Sequence, residues 1–138
     1  MQILFLFFLV FIAGCPNETT TYRAFLRPPA INYDEATGSF KMICLKDTCS
    51  WGIDIQKLSR ITMAHIHGNM GNGLTPACIS PFTGDKAVTS GTFNMPDDGN
   101  SCNWKTMDDF YQAIKEGKAF VNIHNFEHPS GAISGILK

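Results

Sequence analysis

The chain has no surplus of charge of either sign: 11 lysines and arginines stand against 12 aspartates and glutamates in 138 residues. No basic cluster occurs anywhere along it, so the electrostatic footprint of a nucleic-acid binder is missing and no nucleic acid is expected as a partner. Long apolar runs are missing too. The one strongly apolar stretch, Met1 to Ala13, is too short to cross a bilayer as a helix. It reads as a signal peptide over residues 1–14, although no lysine or arginine opens it. A secreted, extracellular protein without a transmembrane segment is the expectation. Several signatures of chemistry are absent as well. There is no Gly-x-Ser-x-Gly elbow for a serine nucleophile and no paired Cys-x2-Cys knuckle for structural zinc. The adjacent pairs Asp97-Asp98 and Asp108-Asp109 do not face each other as an acid and base would. No internal repeat and no low-complexity segment breaks the sequence, which suits one domain with a single core.

Two signals compete just after the apolar run. Ile12-Ala13-Gly14-Cys15 matches a bacterial lipoprotein box, in which Cys15 would carry a lipid anchor. Asn17-Glu18-Thr19 is a glycosylation sequon that places Asn17 in a eukaryotic secretory pathway, the reading favoured here. The remaining cysteines, Cys44, Cys49, Cys78 and Cys102, are even in number, which in an exported domain points to two disulfides. Three pairings are open to them. The turn-rich sequence inside each pair favours Cys44 with Cys49 across a hairpin and Cys78 with Cys102 around a longer loop.

Short runs rich in Val, Ile, Phe and Tyr recur between Gly, Pro, Asn and Asp, the pattern of an all-β domain. Strands are expected at Tyr22–Arg27, Ser39–Lys46, Cys49–Ile55, Ser59–His67, Thr75–Ser80, Ser90–Met95, Ala119–Asn125 and Ala132–Leu137. Asp47-Thr48 is read as the tip of the hairpin that the first two cysteines flank. One helix is expected between strands. Thr106 is its N-cap, Asp108 and Asp109 suit its positive end, and Gly117 stops it. The fold class is an antiparallel, immunoglobulin-like β-sandwich or partly closed barrel with that one short helix. Trp51, Trp104, Tyr111 and Phe126 are read as core, with a recognition surface as the alternative.

All four histidines fall in two patches, Ala64-His65-Ile66-His67-Gly68 and Phe120-Val121-Asn122-Ile123-His124-Asn125, the second leading into His128-Pro129-Ser130-Gly131. Both patches alternate apolar and polar residues at period two, so each is a half-buried strand with His65 and His67 on one face. Two imidazoles at i and i+2 can reach one ion; His124 is the natural third ligand and His128 a candidate fourth, for copper or zinc. The plainer reading makes these histidines polar strand residues that hydrogen-bond backbone or Asn122. Asn122 and Asn125 fit either reading, as partners of a ligand or as strand-end hydrogen-bonders. Gly68-Asn69-Met70-Gly71-Asn72-Gly73 lacks the Lys-Ser/Thr of a phosphate loop and reads as a plain connection.

The order of these patches resembles the CHRD domain, first recognised in chordin. That family has a strand ending in His-x-His-Gly, then a short helix and a Gly, then a Tyr/Phe-Val-Asn-Val-His strand, a Pro-x-Gly turn and a last strand. The match here covers residues 22–138 and runs through Ala64 to Gly68, Gly117, Phe120 to His124, Pro129, Gly131 and Ile133 to Leu137. Where the closing strand usually carries Glu and Arg, this chain has Ala132 and Ser134. Any charge-based recognition that the family builds there is therefore not carried over. The resemblance implies a secreted, non-enzymatic module that binds an unknown extracellular protein partner. The alternative is a copper- or zinc-binding protein that uses the histidine cluster. A superoxide-dismutase-like activity is the remotest reading, because the two-metal copper–zinc enzymes need more histidines than the four present.

Overall fold

A computed structural model describes residues 18–28, 35–71, 73–83 and 89–138. The expected signal segment, Cys15, Asn17 and part of the loop after the first strand lie outside the described residues. Among the described residues, eight strands form two four-stranded antiparallel sheets. The first has the order β1-β2-β3-β6, with β1 at Thr20–Leu26, β2 at Thr37–Leu45, β3 at Thr48–Gln56 and β6 at Ser90–Phe93. The second has the order β5-β4-β7-β8, with β4 at Ile61–Gly68, β5 at Ala77–Thr83, β7 at Ala119–Asn125 and β8 at Ile133–Ile136. The architecture is a sandwich, and the described residues form no closed barrel. Among the described residues, no helix is long and apolar enough to cross a membrane.

Alternation sets what each strand buries. In β2 the inward side chains are Phe40, Met42 and Cys44, with Ser39, Lys41 and Ile43 between them on the other face. Ala64 and Ile66 of β4 and Val121 and Ile123 of β7 meet them from the second sheet, all fully buried. Phe40, Trp51 and Phe82 stack through this core with successive ring centroids 6.1 and 6.0 Å apart. Trp51 and Trp104 are thus core residues, as the composition of a sandwich favours. Phe126 is the exception: its ring is exposed, with the Arg60 guanidinium 3.8 Å above it.

The β2–β3 hairpin turns one residue earlier than the sequence led us to expect. Leu45 pairs with Thr48, so Lys46 and Asp47 form the tip, Lys46 with a φ of 53°. Cys44 and Cys49 are directly opposed across this hairpin at disulfide distance, with Cα atoms 4.0 Å apart. Cys78 and Cys102 are also at disulfide distance, Cα atoms 5.8 Å apart, and tie β5 to the loop before the helix. That helix, α1, spans Met107–Lys115 behind a complete capping box: Asp109 N–H donates to Thr106 Oγ1, and the Asp109 carboxylate accepts from Thr106 N–H. Its buried stripe is Met107, Phe110, Ala113 and Ile114. Tyr111 stacks on Tyr22 and donates its hydroxyl to Lys46 O at 2.6 Å, which anchors the helix to the hairpin tip.

One edge of the sandwich is stitched. Arg23 and Lys138 exchange backbone hydrogen bonds of 2.8 and 2.9 Å, and Arg27 and Ser134 exchange bonds of 3.0 and 2.9 Å. Strands β1 and β8, from opposite ends of the described chain, are thereby joined across the two sheets.

Candidate metal centre

The histidines lie on the face of the second sheet that points away from the core. In β4 the buried positions are Ala64, Ile66 and Gly68, which turns His65 and His67 to the other side. Across the ladder His65 pairs with Asn122 and His67 with Phe120, so His124, two residues beyond Asn122, lies diagonal to His65 on that same outer face. Ring centroids of His65 and His124 are 4.8 Å apart, and those of His65 and His67 are 5.6 Å apart. One ring nitrogen from each of His65, His67 and His124 lies within 4.8 Å of the other two. His128, the candidate fourth ligand, is not part of this group. It stands past the end of β7, where Asn125 Oδ1 accepts its backbone N–H at 2.8 Å and turns the chain away.

Two loops orient the rings. Thr75 O lies 2.7 Å from His67 Nδ1, and Pro129 O lies 2.9 Å from His124 Nδ1. A carbonyl only accepts, so both Nδ1 atoms carry the proton, and in the neutral ring each Nε2 keeps its lone pair. His124 Nε2 sits 3.1 Å from His65 Nδ1. His67 Nε2 is buried without any hydrogen-bond partner. Phe120 stacks on the His67 ring at 5.1 Å and closes that side from water.

This arrangement is what a metal site needs at its periphery. Histidine ligands characteristically donate their second nitrogen to a backbone carbonyl, which fixes the tautomer and aims the other nitrogen at the ion. The electrostatics favour the neutral rings as well. Burial pushes His65 down from the usual histidine value to about 4, with repulsion from His124 and His67 adding to it and Asp97 opposing it. Burial also lowers His67, against the hydrogen bond to Thr75, and His124 lowers it further.

The asparagines act at one remove. Asn122 Nδ2 donates to Ser130 O at 3.4 Å, and Asn125 binds Ser59 O at 3.3 Å while its Oδ1 holds His128 N–H. Together they hold the turn that presents Pro129 O to His124. A Cβ at Gly131, whose φ is 128°, would fall 2.4 Å from Asn122 Oδ1, so only glycine closes this turn. Gly68 is confined for a different reason. A Cβ there would sit 2.5 Å from Cys102 Sγ and 3.1 Å from Trp104 Cζ2. The glycine of His-x-His-Gly lets the Cys78–Cys102 bridge pass directly under the end of the histidine strand.

Sequence reasoning missed the two carbonyls, Thr75 O and Pro129 O, and the lid that Phe120 makes over His67. The phenylalanine had a readable signal, because it sits two residues before Asn122 on the same face of an alternating strand; the carbonyls had none.

No curated protein and no solved structure matches the chain. The family model described as CHRD domain matches residues 22–137, which include both histidine strands, both cysteine pairs and the helix. The chain therefore belongs to the CHRD domain family.

Proposed function

We propose that this protein is an exported, non-enzymatic CHRD module whose outer sheet face binds a copper or zinc ion through His65, His67 and His124. The observation that carries the reading is the buried, unpartnered Nε2 of His67, in a cluster whose ligand nitrogens lie within 4.8 Å of one another. An orphaned buried nitrogen is costly, on the order of 1–3 kcal/mol, and coordination would remove that cost. Three imidazoles with an open fourth position suit either ion. Export is supported by the apolar segment at Met1 to Ala13 and by two cysteine pairs at disulfide distance. The extracellular partner of such a module is a protein of unknown identity.

One observation favours a second reading. The His65–His124 contact of 3.1 Å ties the two rings together without an ion, so the cluster can also serve as a hydrogen-bonded brace. Metal titration separates the two. Under the metal reading, Zn²⁺ or Cu²⁺ at a hundred times its Kd raises stability by about 2.7 kcal/mol. The gain disappears in His67→Gln, with the metal content of the purified protein falling in parallel. Equal melting temperatures with and without ion in the wild-type protein would leave only the brace.

A further inference from the structure

The alternation that aligns His65 and His67 extends one step further back, to Met63. Positions 63, 65 and 67 of β4 share the outer face, while Ala64, Ile66 and Gly68 point into the core. In the ladder with β7, Met63 is the residue paired with His124. Directly opposed side chains have Cβ atoms about 5 Å apart, and same-face neighbours two residues along a strand are roughly 7 Å apart. Met63 therefore borders the cluster in the cross-strand row of His124 and lies next to His65 along β4. It is half-buried, in a stretch that keeps the neighbouring histidines from full solvent. Its unbranched chain has three rotatable bonds, ample to bring a thioether over a neighbouring imidazole.

The geometry points to Met63 as the fourth ligand of this centre, a soft thioether that, with three neutral imidazoles, selects copper(I) over zinc. The inference rests on the three-histidine reading proposed above and adds the identity of the ion. The chemistry of the donors supports it. The cluster gathers nitrogen ligands and no carboxylate, and a thioether is a weak ligand for Zn²⁺ but a good one for Cu⁺. The acid that acts electrostatically on His65, Asp97, is committed elsewhere: its carboxylate accepts from Ser80 N–H at 3.1 Å and from the Ser80 hydroxyl at 2.5 Å.

Competition with a Cu⁺-specific chelator under anaerobic conditions, alongside Zn²⁺ titration, tests this on the full folded protein. Met63→Leu is the variant to use, because the exchange conserves volume and leaves packing nearly intact. The expected result is a loss of Cu⁺ affinity of about tenfold or more in Met63→Leu with Zn²⁺ affinity within about twofold of wild type. X-ray absorption of the Cu⁺ form should show one sulfur scatterer that the variant lacks. Equal Cu⁺ affinity in both proteins, with nitrogen scatterers only, overturns the assignment and leaves the three-histidine site standing. Failure of the wild-type protein to bind either ion, matched by His67→Gln, would remove the centre altogether and this inference with it.

Discussion

Neutral imidazoles make the cluster sensitive to acid before any other part of the molecule. His65 is held near a pKa of about 4 in the folded protein, and His67 is lowered too, while an unfolded chain returns both to the ordinary value near 6.5. Between those limits the unfolded state binds more protons, so stability in the metal-free protein is full above about pH 6.5 and is lost as pH falls towards about 4. The lowered carboxylates of Asp109 and Glu116 act in a separate window, losing their contribution only below the usual carboxylate range. Urea midpoints measured from about pH 7.5 down to about pH 4.5 should therefore decline in the wild-type protein and decline less in a His65→Gln/His67→Gln variant. Parallel curves for the two would show that the histidines are not the groups responsible. At this scale the sequence is a partial guide. Period two places His65, His67 and His124 on one face, because side-chain direction in a strand is a local property. The strand pattern ends at Asn125, and His128, offered as a further ligand from the turn beyond it, is not in the group of three; there the Asn125 side chain accepts its backbone N–H. The pattern says nothing of Thr75 O and Pro129 O, which are backbone groups delivered by loops whose path depends on tertiary contacts.

The elements were largely legible, because hydrophobic alternation and turn residues are local signals. Each expected strand overlaps a strand of the structure, with bounds shifted by up to three residues, the expected helix is present, and the Thr106 cap is realised in full. The misplacements are instructive. β5 starts at Ala77 and continues through Pro81 to Thr83, past the expected end at Ser80. An edge strand tolerates a proline because its outward N–H needs no partner, and β5 is an edge. The two cysteine pairs differ in what they hold together. Cys44 and Cys49 are five residues apart on a hairpin that already has a full ladder, whereas Cys78 and Cys102 are 24 apart and close a much longer loop. Loop-closure entropy assigns roughly 2 kcal/mol to the first bridge and roughly 3.5 kcal/mol to the second. Chemical denaturation of the oxidised protein beside the two double-serine variants should show the larger loss for Cys78→Ser/Cys102→Ser. A larger loss for the hairpin pair would mean that native contacts, and not chain entropy, set the order.

At the scale of the whole molecule, the sandwich separates two duties. Its inner faces supply the apolar core, and the outer face of β4 and β7 carries the histidines, so substitutions at the centre leave the core residues untouched. The sequence pointed to a sandwich or partly closed barrel and to the β2–β3 hairpin, but it did not set the full strand order. Pairing of β4 with β7 and of β1 with β8 joins residues far apart in the chain, and no local pattern encodes such a choice. The stitching of β1 to β8 has a mechanical consequence. The two strands run antiparallel, with Arg23 bonded to Lys138 and Arg27 to Ser134, so both chain ends leave from the same end of the seam. Tension applied between those ends loads the pairs one after another, the Arg23–Lys138 pair first, as a zipper opens. Single-molecule pulling from the two ends should accordingly peel β1 from β8 at lower force than pulling between points that shear the β4–β7 ladder along its length. Held at its ends, the domain would yield from this seam inwards, and because β8 pairs directly with β7, the histidine strand is the next to feel the load.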